Sequence, residues 1–378
     1  MSITVNAGEL KAAVTWVSKA MPRRGGRMMI CVAPGGVYIA SSYEAEVVAP
    51  ILADTDSDTE TWTVVIELDD IRGIVQKAPK KASITISHSA SENLVAVSYG
   101  VTRFAIPAGD CDWTVDAPQD SEYCCMLDLA AMCKIAGGRS MDNGPGRWSV
   151  LTAIHIDEVD AQLAATAADG FRLATITVPA VPVSRLTEVV GVNGVNIPDS
   201  IIRILPTSGV ATLYVGQPMH PHNYKMLTMV LPGNRLARVH VDANAYPDYR
   251  RVMPQGWDAR ITLPVVTLAA AVAQLKPIAE LGSGIVRLVY DDGVLRASAR
   301  VENKEDKNAV PAVTTLAAQR DGAERFQIAL NHRYITEALA TIESETVAIE
   351  MTTPTAPVVF RGGDVDPLWV VMPMFVQW

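Results

Sequence analysis

Long apolar runs are missing from this 378-residue sequence. No uninterrupted stretch reaches the roughly 20 residues needed to cross a bilayer, so membrane insertion is not expected. The first residues, Met1, Ser2, Ile3, Thr4 and Val5, lack the basic segment, apolar run and small-residue cleavage site of a secretory leader, and the cytoplasm is the expected location. Cysteine is scarce. Cys31, Cys111, Cys124, Cys125 and Cys133 are odd in number, form no CxxC pair and lie among apolar residues, which reads as buried reduced thiols rather than a disulfide framework. Aromatic residues make up only 6%, so the core must be aliphatic. A net charge of −9 excludes a surface that is basic everywhere and leaves a local basic face open.

The usual parts of a catalytic or metal centre are also lacking. His220 and His222 flank Pro221 with no carboxylate or cysteine nearby, a poor metal site. Gly137, Gly138, Gly144 and Gly146 do not follow phosphate-loop spacing, and no Ser, His and Asp arrangement stands out. Neither an enzyme nor a bound metal or cofactor is expected.

What is present is a folded composition, 49% hydrophobic and 19% charged, in a chain long enough for two or three domains. Apolar residues at three- and four-residue spacing predict six helices. They run from about Gly8 to Met21 and Leu68 to Ala78, and start near Leu127, Pro198, Pro264 and Asn331, with Pro277 expected to end or bend the fifth. Starts recur every 60 to 70 residues or so, which reads as an internal repeat. Alternating segments such as Ile84 to Ile86, Leu94 to Val97, Leu213 to Val215 and Val347 to Met351 predict strands. Asp291, Asp292 and Gly293 predict a tight hairpin between Val286–Tyr290 and Val294–Val301. The fold class expected is α+β, with one helix and several antiparallel strands per unit. Pairing the six units gives three domains, 1–118, 119–254 and 255–378, with boundaries near Pro118 and Pro254.

The residues from Trp369 to Trp378 are almost wholly apolar, and such a segment needs burial or a docked partner. Together with Ala167-Ala168-Asp169-Gly170-Phe171-Arg172-Leu173-Ala174 and Tyr246-Pro247-Asp248-Tyr249-Arg250-Arg251-Val252-Met253-Pro254, this tail resembles the bacterial sliding clamps, the β subunits of DNA polymerase III. The resemblance covers the whole chain. It implies a clamp fold of three domains with two repeats each, closing as a head-to-tail homodimer into a ring around double-stranded DNA, without sequence preference. It also implies binding of the polymerase catalytic subunit, the clamp loader and other proteins that carry a short apolar motif.

For the peptide site, the resemblance implies a cleft between the second and third domains. Its residues would be Val150, Ala168, Gly170, Phe171, Arg172 and Leu173, then Pro247, Arg251 and Val252, then Val370, Val371, Met372, Pro373, Met374, Phe375 and Val376. Flexible methionines suit several ligands. Leu173 and Val252 read equally as core, and Asp169-Gly170 as a plain hairpin turn. Arg172 reads as functional, since a lone cation beside an apolar tail is costly unless used. Ala168 and Phe171 replace the family's usual threonine and histidine and imply a different peptide preference. DNA contact falls to Arg24, Arg27, Arg72, Arg147 and Trp148, the last either stacking on a base or packing at a strand start. The dimer interface would use Arg72, Lys77, Cys111 and Trp113 against Leu275 and Ile278. Asp199 and Ser200 stand where the family has a basic pair, which keeps open a paralogue that encircles DNA poorly and acts as scaffold or decoy.

Overall fold

The computed structural model describes residues 2–21, 26–42, 45–53, 59–111, 121–141, 149–159, 162–178, 186, 194–219, 224–240, 245–291, 293–301 and 311–376. They fall into two compact units, 1–130 with 180–243 and 131–179 with 244–378.

Each of the six expected helices is present, and each begins where a strand stops. α1 (Ala7–Ser18) follows Ser2–Asn6, α2 (Leu68–Lys77) follows Trp62–Glu67, and α3 (Leu129–Ile135) follows Ser121–Asp128. α4 (Asp199–Ile202) comes after Val195–Ile197, α5 (Val265–Glu280) follows Ala259–Pro264, and α6 (His332–Thr341) follows Phe326–Asn331. At α1, α3 and α6 the joint is made by a side chain that accepts from orphan amides of the first helical turn. Asn6 Oδ1 accepts from Gly8 and Glu9 at 2.8 and 3.3 Å, Asp128 Oδ1 from Ala130 at 2.7 Å, and Asn331 Oδ1 from Arg333 at 2.9 Å.

Three helices differ from expectation. Leu127 lies within the strand, fully buried, so α3 starts two residues later than predicted. α4 is a single turn because Leu205 precedes Pro206, and the residue before a proline is pushed out of the helical region. α5 runs through Pro277 to Glu280. The carbonyl that the proline deprives of its helical donor belongs to Ala273, an exposed residue.

The first unit holds two antiparallel sheets. One is ordered Ser2–Asn6, Ser83–Ser89, Leu94–Tyr99, Thr102–Pro107. The other is ordered Ser121–Asp128, Val210–Met219, Tyr224–Leu231, Arg235–His240, Glu46–Leu52, Gly36–Ser42, Arg27–Ala33, Trp62–Glu67, Gly109–Asp110. α1 buries Leu10, Ala13, Val14 and Val17 and packs on both sheets and on α2. Its Trp16 donates from Nε1 to the Ile204 carbonyl at 2.8 Å, with the Arg235 guanidinium 5.2 Å from the ring centre.

The second unit repeats the plan. A four-stranded sheet runs Ala312–Ala317, Val294–Ala299, Ile285–Asp291, Phe326–Asn331. The predicted hairpin is there, with Asp291 opposite Val294 and Gly293 at φ +81°, the left-handed conformation such a turn requires. The strands of the larger sheet within this unit run Ile154–Val159, Gln162–Ala168, Arg172–Val178, Leu368–Val371, Val358–Arg361, Thr346–Met351, Ala259–Pro264, Gln319–Gly322. The apolar tail therefore supplies an interior strand. Trp369 points to the core, fully buried, and donates from Nε1 to Thr341 Oγ1 of α6 at 2.9 Å.

Asp366 sets the turn that delivers this strand. Its Oδ1 accepts from the Glu343 amide at 2.8 Å, and its Oδ2 from the Ser344 hydroxyl and from the amides of Gly363 and Ser344 at 2.9 and 3.1 Å. Burial alone raises this carboxyl, but the hydrogen bonds from Ser344, Glu343 and Gly363 outweigh it and hold the acid below its ordinary range. The stabilisation is thus present above the unfolded value near pH 4 and is lost as pH falls through the depressed folded value. Asp366→Asn should lose about 1–3 kcal/mol at pH 7. Urea titrations across pH should show the gap to the parent protein closing in strong acid.

Candidate functional site

Directly opposed residues of antiparallel strands project to the same face. On the outer face of the larger sheet in the second unit, Ala168 opposes Leu173, Leu173 opposes Val370, and Val370 opposes Val359. These four residues make one apolar rung and pack with Val150, Leu151 and Tyr249 in a buried cluster. The rung ends at Glu350, opposite Val359, whose carboxylate is buried between Arg260 and Arg361. Above the apolar part lies an open groove of about 270 Å3, floored by Ala168, Leu173 and Val370 and walled by Leu151, Tyr246, Pro247, Tyr249, Val252, Pro357 and Met372.

The first wall is a tight hairpin. Gly170 takes φ +93°, and Asp169 Oδ1 accepts from the amides of Phe171 and Arg172 at 2.9 and 3.0 Å, so Asp169-Gly170 is the turn that the sequence suggested. Phe171 is left 60% exposed at the groove mouth. Its carbonyl accepts from the Met372 amide at 2.8 Å, which extends the strand pairing one residue beyond Val371 and holds Met372 over the groove.

Arg172 has a different job from the one its position suggested. Its side chain is only 8% exposed. Nε donates to Asp169 at 3.0 Å, one terminal nitrogen to Glu337 of α6 and the other to the Gly137 carbonyl at 2.8 Å, while the guanidinium lies 4.5 Å from the Tyr334 ring centre. Every donor edge is committed to protein. Arg172 ties the hairpin to α6, and only the remainder of the residue lines the groove.

The second wall, Tyr246 to Val252, is held from beneath by buried polar groups. The Tyr249 hydroxyl donates to Asp157 Oδ1 at 3.1 Å, and Arg250 donates to Oδ2. The Tyr246 ring stacks on His155, with centres 4.6 Å apart and planes 7° apart. Burial pushes both phenols above the ordinary tyrosine value, with Thr166 and Asp157 acting on Tyr249 in opposite senses, so both stay neutral.

The structure brings together Ala168, Gly170, Phe171, Arg172, Leu173, Pro247, Val252, Val370 and Met372. Val150 belongs to the supporting cluster rather than the lining. Val371 is fully buried on the opposite face, as the two-residue period of a strand demands, and does not reach the groove. Pro373, Met374, Phe375 and Val376 continue past the lining; Met374 donates its amide to the Ala329 carbonyl at 2.8 Å, and Phe375 is 82% exposed. Arg251 projects into solvent, paired with Asp248 at 2.9 Å. The sequence reading missed Leu151, Tyr246, Tyr249 and Pro357. The two tyrosines lay inside a quoted string and could have been found there, whereas nothing local marks Leu151 or Pro357.

Of the other predicted residues, Arg27 is exposed and pairs with Glu67 at 3.3 Å, and Arg72 pairs with Asp69 at 3.2 Å. Lys77 is exposed, Ile278 is partly buried, and Cys111 is partly buried with its Sγ 3.6 Å from Met29 Sδ. Leu275 is a core residue of α5, 3% exposed, and so is not presented as an interface side chain. Arg24, Trp113, Arg147 and Trp148 lie outside the described residues, as do His220, His222, Gly144 and Gly146. Cys31, Cys124 and Cys125 are buried and none of the five cysteines forms a disulfide. Among the described residues no cluster of histidine, cysteine and carboxylate could hold a metal ion, and no helix is long and apolar enough to cross a membrane.

Residues 250–375 match the family model described as DNA polymerase III beta subunit, C-terminal domain. The chain is 22% identical to the beta sliding clamp of Synechococcus elongatus, over 99% of each chain, and 26% identical to that of Caulobacter vibrioides, over 80% of each. The solved Caulobacter crescentus beta sliding clamp superposes with a TM-score of 0.82 at 20% identity, covering 100% of this chain and 99% of that one. The Thermotoga maritima DNA polymerase III beta subunit gives 0.80 at 20% identity, with both chains covered completely. The fold is thus that of a DNA clamp. Residues 250–375 thus match the C-terminal domain of the DNA polymerase III beta subunits, and the chain as a whole is similar to the beta sliding clamps.

Replacing Arg172 by alanine would leave Asp169 and Glu337 facing each other without their cation. Loss of one partner of a buried ion pair costs about 3–5 kcal/mol, and the half-exposed Glu337 places the expected loss near 3. Urea unfolding should show that loss, and Arg172→Lys should not restore stability, because lysine cannot serve three acceptors along one plane.

Proposed function

We propose that this chain is a DNA sliding clamp, a processivity factor without catalytic activity of its own. Two copies would join head to tail in the cytoplasm and enclose duplex DNA. The polymerase catalytic subunit, the clamp loader and other partners would each dock a short apolar segment in the groove. The observation that carries this reading is the apolar groove built around the C-terminal strand, in a fold that clamps match along the whole chain. Within it we retain the three domains 1–118, 119–254 and 255–378.

Ring closure is supported by two sheet edges. Among the described residues, Thr102–Pro107 and Ala312–Ala317 are each the last strand of a four-stranded sheet and pair on one side only. Such edges are templates for another strand, and Val101 and Val313 stand exposed beside them. A heterologous contact between two different edges closes into a ring when its rotation allows. Sliding requires few and exchangeable phosphate contacts, so an acidic total is no obstacle. Arg27 and Arg72 are suited to that role, because each is shared with a surface carboxylate that phosphate can displace. The charge of Asp199, one of the residues behind a decoy reading, is taken up by Arg203 four residues on.

Light scattering should show a dimer. After loading, the protein should be retained on circular DNA and lost once the circle is cut. A monomer retained on neither form would end the clamp reading. For the groove, Met372→Asp should weaken binding of an apolar polymerase-derived peptide at least tenfold, about 1.4 kcal/mol, with the dimer intact. Unchanged affinity by calorimetry would remove the peptide from this groove.

A further inference from the structure

We infer that Asp157 is the positioning residue for the second wall of the groove. This rests on reading the groove as a peptide site. Asp157 is 4% exposed on the strand Ile154–Val159 and touches no part of the groove lumen. Its carboxylate is the common acceptor for two consecutive residues of the turn Tyr249–Val252. The Tyr249 hydroxyl lies 3.1 and 3.3 Å from its two oxygens, and the Arg250 guanidinium is bound to Oδ2. The turn has little support of its own: its backbone bonds, from Arg251 to Asp248 and from Met253 to Arg250, are both 3.3 Å long. A helical turn whose own bonds are long takes its orientation from what grips its side chains.

Both grips carry groove residues. The Tyr249 ring is part of the lining and of the buried cluster, so fixing its hydroxyl fixes the angle of an apolar wall. Arg250, with its guanidinium 4.9 Å from the Tyr249 ring centre, locks the next residue to the same carboxylate. Val252 follows two residues later, 52% exposed, its place over the groove set through the turn. The other polar groups facing this carboxylate are His155, with Nε2 3.8 Å from Oδ2, and Thr166, which is within reach of the Tyr249 phenol. A charge-assisted acceptor serving two donors is the strongest link in this set, and Asp157 supplies it.

The test uses the full-length dimer, the apolar polymerase-derived peptide, and three variants, Asp157→Ala, Tyr249→Phe and the double variant, at a temperature where circular dichroism shows each fully folded. Calorimetry should give about tenfold weaker peptide binding for each single variant. The double variant should be no weaker than Asp157→Ala alone, since that change already removes the bond that Tyr249→Phe takes away. Amide shifts of Val252 should move in each single variant. Tyr249→Phe keeps the apolar ring and carries the test alone if Asp157→Ala fails to fold. Parent-like affinity in a folded variant, or additive losses in the double variant, would overturn the positioning role while leaving the peptide site intact. Absence of peptide binding by the parent protein would instead overturn the reading on which it rests.

Discussion

The insertion of Leu368–Val371 between Arg172–Val178 and Val358–Arg361 is the constraint on which the second unit depends. A segment this apolar is a liability at an edge and an asset in the interior, where both rows of backbone groups are paired and both faces are covered. The alternation of the strand then assigns its side chains. Trp369 and Val371 go to the core, while Val370 goes to the outer face and becomes the floor of the groove. Hairpin, tail and sheet are therefore one object. The Met372 amide on the Phe171 carbonyl ties them beyond the last strand residue.

The groove separates two kinds of support. Its floor is held by aliphatic burial, Ala168, Leu173, Val370 and Val359 in a single rung, which contributes stability but no direction. Its walls are held by ions and hydrogen bonds, which have direction. Arg172 grips Asp169, Glu337 and the Gly137 carbonyl on one side, and Asp157 grips Tyr249 and Arg250 on the other. A surface that must stay open and apolar without collapsing needs walls fixed from outside the groove, and in both walls the fixing charges lie behind the lining. Gly138 belongs to the same scheme: a Cβ there would lie 3.1 Å from the Ala167 carbonyl and the Ala174 methyl, so a larger residue would have to push its neighbours away from the hairpin's root.

Helix positions were legible because each apolar stripe is continuous and local. Six regions at regular spacing emerged from periodicity alone, and their true starts coincide with the ends of strands. What periodicity could not reveal was the joint itself, since Asn6, Asp128 and Asn331 read as ordinary polar residues until the backbone places them against orphan amides. The groove was legible through whole strings and not through single residues. Leu173, Val252 and Met372 follow from them, whereas Val371 turns to the core because neighbours in a strand cannot share the face that Val370 takes. Arg172 lines the groove as expected but is not a lone cation: its partner Glu337 is remote in sequence and only the fold brings the two together. Leu151 and Pro357 carry no local mark.

The pairing of Arg172 with Val371 closes a loop of about 200 residues, and closure of so long a loop is opposed by chain entropy that only the completed sheet repays. Until that closure, Leu173 and Ala168 have no neighbour at Val370, and the site has a rim without a floor. The groove is thus a property of the finished molecule alone. An incompletely folded chain has no groove, so the fold acts as its own check on that surface.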